Sequence, residues 1–212
     1  MTVATDDARF SQREASPTVK NLRRMTLKEF LTYDDGTEMR YELENGVLVE
    51  MGAESTGNTS IATLLMFAFG ALGINYYCLA TKHLIEVRGS DASSRYPDLV
   101  VHSEESFAAI QGRSEACVEL TDPSPILVVE VVSPGAESSK NYKRDYQWKP
   151  SEYADREIAE FWRVDPERKW VQIGTLIAGE YEFATFKGDE PIVSPTFPEL
   201  KLTAAIVLAA GR

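Results

Sequence analysis

The chain has 212 residues, a formal net charge of −11 and a sequence pI of about 4.8. Hydrophobic residues make up 43% of it and charged residues 26%, which is ordinary for a soluble globular protein. The length is sufficient for one substantial hydrophobic core. The acidic balance argues against a surface that binds nucleic acid broadly through phosphates, although a local basic patch remains compatible with it.

The N-terminus and the two cysteines indicate the cellular compartment in which the protein is expected. Residues 1–22 lack the apolar core of a signal peptide, so they are predicted to form a disordered lead-in of a cytoplasmic protein. Cys78 and Cys117 have no metal-binding spacing and are predicted to be small core residues in a reducing environment. The longest apolar stretch, 61–74, is too short to cross a bilayer, so no membrane partner is expected.

The first part of the chain predicts helices around a hairpin. Thr26 followed by Glu29 has the pattern of a capping box at the start of a short helix. The Asn-Gly dipeptide at 45–46, between two alternating runs, is the strongest short hairpin signal. The predicted elements are paired strands at 40–44 and 47–51, a helix over 58–74 and a strand region over 76–88.

The second part alternates apolar strands with one highly charged segment. Residues 137–157 are predicted to be helical, and Pro150 must start or kink a helix there. No repeat or boundary divides the chain, so residues 23–212 are predicted to be a single α+β domain with a mixed central β-sheet flanked by helices. The predicted strands are 98–101, 126–132 and 160–164, followed by a hairpin of 169–175 and 180–186.

Two acids stand out in the Val-rich strands. Asp98 opens one of them, and Glu130 lies in the middle of the next, where an unpaired carboxylate would be costly. If the two strands are antiparallel neighbours, both carboxylates meet at one edge of the sheet. Two nearby carboxylates repel each other unless a cation lies between them, and Mg²⁺ prefers oxygen ligands. The carbonyl of Val131 would offer a further oxygen.

The segment after the second acid is rich in bases, which are Lys140, Lys143, Arg144 and Lys149. A helix there would bring one lysine back over the two acids. Such a cation would stabilise charge that develops on a phosphate, or lower the pKa of an attacking water.

Each of these interpretations has a structural alternative. Asp98 could instead cap a turn after Pro97. Glu130 could instead form an ion pair with an Arg or Lys on a neighbouring element. The basic run fits the solvated face of a helix equally well. Glu42 is predicted to be exposed, and His83 and His102 to be isolated structural residues.

Five segments of the chain, in order, carry a family resemblance. They are MTLKEFLTY, RYELENGVLVEM, SSRYPDLVVHSEES, ILVVEVVSP and RDYQWKPSEYADREIAEFWRVDP. Residues 25–186 thereby resemble the Uma2 family of restriction-endonuclease-like proteins, within the PD-(D/E)XK nuclease superfamily. The resemblance implies a restriction-endonuclease-like core and metal-dependent hydrolysis of DNA phosphodiester bonds.

The resemblance also assigns site residues. Asp98 and Glu130 match the metal ligands, with the Val131 carbonyl as a third oxygen and Mg²⁺ or Mn²⁺ as the cofactor. Val132 occupies the place of the superfamily lysine, and this is a departure from the pattern. Lys149, on the following helix, is assigned the role of that lysine.

Further roles follow from the same resemblance. Glu42 matches an acid of the family's first hairpin and is assigned to catalysis. Lys143 and Arg144 of the basic segment, and Tyr153, four residues after Lys149, are predicted to bind substrate. A homodimer is expected by analogy, because cutting both strands of DNA needs two sites.

Two other functions stay open at this point. One is a catalytically weak or inactive binding or assembly module that keeps the nuclease fold, and the other is hydrolysis of a different phosphate ester. A nuclease needs a positive groove that leads to Glu130, and this feature would separate a nuclease from a binding module.

Overall fold

A computed structural model describes residues 24–37, 39–91 and 93–211. The lead-in predicted at 1–22 lies outside the described residues. The described part of the chain folds as α+β, with two mixed sheets flanked by helices. The predicted fold class is therefore confirmed, although the predicted single sheet is divided in two.

The helices and strands have the following bounds. The α-helices are α1 (Leu27–Leu31), α2 (Thr56–Ala71), α3 (Glu104–Ile110), α4 (Lys140–Lys143), α5 (Lys149–Asp155) and α6 (Ala204–Ala209). The strands are β1 (Tyr41–Glu44), β2 (Val47–Glu50), β3 (Leu79–Ala80), β4 (Leu84–Val87), β5 (Ser93–Arg95), β6 (Leu99–Val101), β7 (Cys117–Val118), β8 (Leu127–Val131), β9 (Glu160–Asp165), β10 (Trp170–Ile177) and β11 (Glu180–Phe186). A 3-10 turn covers Tyr76–Cys78, and a π-helical turn, Arg144–Trp148, joins α4 to α5.

The two sheets divide the strands between them. The first has the order β2-β1-β5-β4-β7 and the second the order β11-β10-β9-β8-β6-β3. The pairs β4–β7 and β8–β9 are parallel, and the other pairs are antiparallel. The strand region predicted at 76–88 breaks at the polar residues 81–83, so that β3 joins one sheet and β4 the other.

The first hairpin forms as the sequence predicts. Asn45 and Gly46 have φ angles of 47° and 79°, as a two-residue turn with left-handed central residues requires. The pairing places Glu42 opposite Val49. The capping box of Thr26 and Glu29 is also present.

The larger core lies between the second sheet and the helices α2 and α6. Helix α2 begins two residues earlier than predicted and buries one face, while Phe67 on its other side is 74% exposed. Helix α6 buries Ala204 and Val207 in the same core. The apolar C-terminal segment therefore packs on its own chain.

Both cysteines are free and buried, which confirms their predicted place in the core. Among the helices of the described residues, none has the length and apolar character needed to cross a bilayer.

The two histidines are not isolated, and that prediction is wrong. His83 Nδ1 lies 2.9 Å from His102 Nε2, and His102 Nδ1 lies 2.9 Å from Ser106 Oγ. The chain folds back so that β6 and the start of β4 place the two rings side by side. Burial, and then the neighbouring ring of His83, lower the pKa of His102 to about 4.

The histidine pair predicts a pH dependence of stability. Because the pKa of His102 is about 4 in the folded chain and about 6.5 when unfolded, the unfolded chain binds more protons between these values. The free energy of unfolding should therefore fall as the pH drops from about 6.5 towards 4. Urea unfolding of wild type and His102→Gln at pH 7 and 4.5 should show a drop about 2 kcal/mol smaller in the variant. Equal drops in the two proteins would refute this linkage.

Candidate functional site

The register of β6 and β8 brings Asp98 and Glu130 together at the same end of these two neighbouring strands, in the interior of the second sheet. Leu99 pairs with Val129 in an antiparallel ladder, and Asp98 immediately precedes this pair. The N–H of Val131 donates to Asp98 Oδ2 at 2.6 Å. The antiparallel pairing on which the prediction of two adjacent acids depended is present.

Helix α5 holds both oxygens of Glu130. Lys149 Nζ lies 2.6 Å from Glu130 Oε2, and the hydroxyl of Tyr153 donates to Oε1 at 2.5 Å. Lys149 and Tyr153 are four residues apart and so share one face of the helix. Glu130 is 3% exposed and Lys149 is 4% exposed. Lys149 is therefore both the lysine that was expected near the two acids and the partner of Glu130 in a structural ion pair.

The π-helical turn explains how Lys149 reaches this position. Pro150 has no N–H to donate to a carbonyl one turn earlier, which weakens regular α-helical bonding at this point. The N–H of Lys149 instead bonds the carbonyl of Arg144, five residues back. Helix α5 then starts with Pro150 in its first turn. The predicted role of Pro150 in starting or kinking a helix is confirmed.

Asp145 is a site residue that the sequence reasoning missed. It is 3% exposed, and its Oδ1 lies 3.2 Å from Lys149 Nζ and 3.2 Å from Arg144 Nε. Its backbone carbonyl accepts from Arg163 Nη1 at 3.2 Å. An acid four residues before a lysine in a helical segment is a signal for such a contact. The sequence prediction for this charged segment uses only its bases and so omits Asp145.

Arg163 fixes the π-helical turn from the side of the sheet. Its guanidinium lies 4.1 Å from the ring centre of Tyr146 and 4.7 Å from that of Phe183. It also donates to Gln172 Oε1. The turn that carries Asp145 is therefore anchored to strands β9, β10 and β11.

The charges in the cluster shift one another's pKa values. Burial, and then the charge of Glu130, raise the pKa of Asp98 well above its ordinary value. Burial also raises the pKa of Glu130, although Lys149 opposes this shift. Burial alone would lower the pKa of Lys149, but Glu130 and Asp145 raise it overall. Lys149 is therefore a fixed cation at neutral pH, not a general base.

These groups line a cleft of about 280 Å³. The lining includes five acids and two bases, so its formal charge is negative. A positive groove towards Glu130 was the feature expected of a nuclease, and the cleft itself does not show it. The acids are Glu50, Glu54, Asp98, Glu130 and Asp145, and the bases are Arg144 and Lys149.

Glu42 is buried, so the prediction that it is exposed is wrong. It is 0% exposed and does not line the cleft. Arg95 Nη1 is 3.3 Å from its Oε2, and the Tyr96 N–H donates to its Oε1 at 3.0 Å. Arg95 in turn forms a two-bond pair with Glu152 of α5, at 2.6 Å for each bond. Burial would raise the pKa of Glu42, but Arg95 and then Lys149 lower it. The catalytic role assigned to Glu42 stays a prediction, and these contacts describe a structural ion pair.

The three predicted substrate contacts fall in different places. Arg144 lines the cleft. Lys143 is exposed on α4 and is not part of the lining. Tyr153 is fully buried beneath Glu130, so the structure corrects its role from touching substrate to orienting that carboxylate.

The donor set fits a hard cation that keeps several waters. No group of three or more His, Cys, Asp or Glu side chains arranged for a metal occurs among the described residues. Asp98 uses Oδ2 for the Val131 N–H, while no described residue bonds its Oδ1. The carbonyl of Val131 has only a 3.4 Å contact from Asn58 Nδ2 among the described residues. One or two carboxylates, a carbonyl and water are an arrangement that suits Mg²⁺.

Comparison with known protein families identifies the family of this chain. Residues 27–205 match the family Uma2, described as "Putative restriction endonuclease". The chain belongs to the Uma2 family. Comparison with curated protein sequences gives no match.

A solved structure supports the Uma2 fold. It is the crystal structure of a putative nuclease belonging to DUF820 from Anabaena variabilis, 18% identical, with a TM-score of 0.66. The match covers 89% of this chain and 99% of the other. At this identity, the likeness shows a shared fold and does not by itself assign an activity.

The buried ion pair of this Uma2 chain predicts a large cost for removing one partner. Lys149→Met leaves Glu130 buried without its cation and Asp145 with only Arg144 beside it, so urea unfolding should show a loss of about 3 kcal/mol. Lys149→Met combined with Glu130→Gln should recover at least half of that loss, because the uncompensated charge on Glu130 is gone. Lys143→Met, the matched exposed control, should change stability by less than about 0.5 kcal/mol. A loss as small as in the control would contradict the contact.

Proposed function

We propose that this chain is a metal-dependent nuclease that hydrolyses DNA phosphodiester bonds with Mg²⁺ or Mn²⁺. One observation carries the proposal. Asp98, with Oδ1 unbonded by any described residue, shares one cleft with Glu130 and with the ammonium group of Lys149. Membership in a family described as "Putative restriction endonuclease" supports the same function.

The proposed roles follow from these contacts. Asp98, Glu130 and the Val131 carbonyl would hold the metal, and a metal bound there supplies Lewis-acid polarisation of a phosphate oxygen. Lys149, which stays protonated, stabilises negative charge on the phosphate and orients the attacking water. Arg144 contacts a neighbouring phosphate at the cleft. Tyr153 keeps Glu130 oriented through a hydrogen bond to Oε1, while the ammonium group of Lys149 contacts Oε2 of the same carboxylate.

A non-catalytic binding or assembly module is the second candidate. Both oxygens of Glu130 already have partners within the chain, Lys149 and Tyr153. The cleft lining is also acidic overall, which disfavours an approaching phosphate in the absence of a cation. A homodimer remains a prediction that is compatible with either function.

Metal binding and DNA nicking separate the two candidates. Calorimetric titration of Mg²⁺ and Mn²⁺ into wild type should show binding that weakens at least 10-fold in Asp98→Asn and in Glu130→Gln. Nicking of supercoiled DNA, and cleavage of single-stranded DNA, should require the metal. Both activities should fall at least about 100-fold in the same variants and in Lys149→Met.

Glu199→Gln is the matched control, because it removes one exposed carboxylate outside the cleft. It should keep both metal binding and nicking. Metal binding without nicking of either DNA form would favour the binding module. An absence of metal binding in folded wild type would refute the proposed metal site.

A further inference from the structure

Arg156 is a buried guanidinium that lacks a carboxylate partner. It is 5% exposed, and no salt bridge links it to any described residue. Its side-chain hydrogen bonding to the described chain is limited to Nη2, which lies 3.5 Å from the Asp122 carbonyl, while Nε has none. A guanidinium carries five N–H donors and keeps its charge in proteins. A charge that is buried in this way is costly unless an acceptor reaches it.

Arg156 lines a second cavity, of about 400 Å³. This cavity shares no lining residue with the cleft of Asp98 and Glu130. It lies where α5 ends, beside the loop at 120–124 that leads into β8. The second cavity is therefore a separate feature at the opposite end of β8.

The charges of Glu86 and Asp122 act on Arg156, but no described carboxylate forms a salt bridge with it. Asp122 is already held by Arg113, with distances of 2.7 and 2.8 Å from its two oxygens to the guanidinium nitrogens. Asp155 and Glu157 flank Arg156 in the chain but are exposed, so water screens their charges. Arg88 adds a second positive charge to the lining.

We propose that the second cavity binds a short aliphatic monocarboxylate, with the carboxylate on the Arg156 guanidinium and the apolar tail on Leu120 and Pro123. A planar guanidinium edge matches a carboxylate through two parallel hydrogen bonds. Leu120, which is 39% exposed, and Pro123 supply apolar wall in the same lining. Water weakens the charges of Asp155 and Glu157 without removing them, and a lining of three acids and two bases disfavours a dianion such as phosphate more than a monoanion.

This binding site does not depend on the proposed nuclease activity. The same chemistry is offered by a free aliphatic acid and by the C-terminal carboxylate of a polypeptide. Butyrate represents the first source, and a short N-acetylated peptide that ends in Ala-Val with a free carboxylate represents the second. A 10-fold preference for one of these probes would identify the source.

The test is an NMR titration that follows the arginine Nε–Hε signals at constant ionic strength. Butyrate should shift one signal in a saturable manner, with a Kd of about 1–10 mM, as expected for so small a ligand. The shifted signal should be the one that is missing from the spectrum of Arg156→Lys, and Arg88→Gln should weaken binding several-fold. Inorganic phosphate should bind at least 10-fold more weakly than butyrate.

Leu120 provides a matched pair of variants that leave Arg156 in place. Leu120→Glu brings a competing carboxylate to the wall of the cavity and should weaken butyrate binding at least 5-fold. Leu120→Gln, whose side chain has the size of Glu without its charge, should weaken butyrate binding less than 2-fold. The proposal is overturned if neither butyrate nor the peptide produces a saturable shift in folded wild type up to 100 mM. It also fails if phosphate binds as well as butyrate or if the two Leu120 variants behave alike.

Discussion

The ion pair between Lys149 and Glu130 is the contact on which the rest of the site depends. Its 2.6 Å separation joins the centre of the second sheet to the charged helical segment. Neither group would be stable in its buried position without the other, because an isolated buried charge is strongly penalised. The same contact depends on where α5 begins, which the π-helical turn and Pro150 determine. It also depends on which face of α5 contacts Glu130, and Tyr153 lies on that face.

A second buried ion network continues this arrangement towards the first sheet. Arg95 of β5 contacts Glu42 of β1 and Glu152 of α5, so one guanidinium links both strands to the helix that carries Lys149. The pKa of Arg95 is raised well above its ordinary value, because these carboxylates outweigh the effect of burial. The two sheets are thus fixed relative to the cleft by charges as well as by apolar packing.

Local patterns in the sequence were enough to predict most of the fold. The Asn-Gly turn at 45–46, the Val-rich strands and the second hairpin each have a short-range signal, and each forms. The division into two sheets has no such signal, because it depends on which strands pair across long loops. The break at residues 81–83 is visible only as a short polar interruption.

The candidate site was predicted unevenly, for a similar reason. Asp98 and Glu130 stand out because acids are unusual beside buried Val runs, and their antiparallel register follows from the strand order. Asp145 lies in a segment with many charged residues, so the sequence does not distinguish it from its neighbours. It is buried within the π-helical turn, and hydrophobic periodicity does not predict such a turn. The predictions for Glu42 and the two histidines fail because the partners lie far apart in the sequence. Glu42 pairs with Arg95, and His83, just before β4, pairs with His102, just after β6.

The balance of charge in the cleft bears directly on the proposed chemistry. Lys149 has carboxylates of both Glu130 and Asp145 as neighbours, so one ammonium group is shared by two acids while Asp98 keeps no cation of its own among the described residues. Burial, and then the charge of Glu130, raise the pKa of Asp98. A divalent ion on the free oxygen of Asp98 would offset the repulsion, and the acidic lining is then an argument for a cation. DNA would approach a cleft whose charge the metal has changed, so Arg144 and the ion would have to attract phosphate in a chain with a net charge of −11.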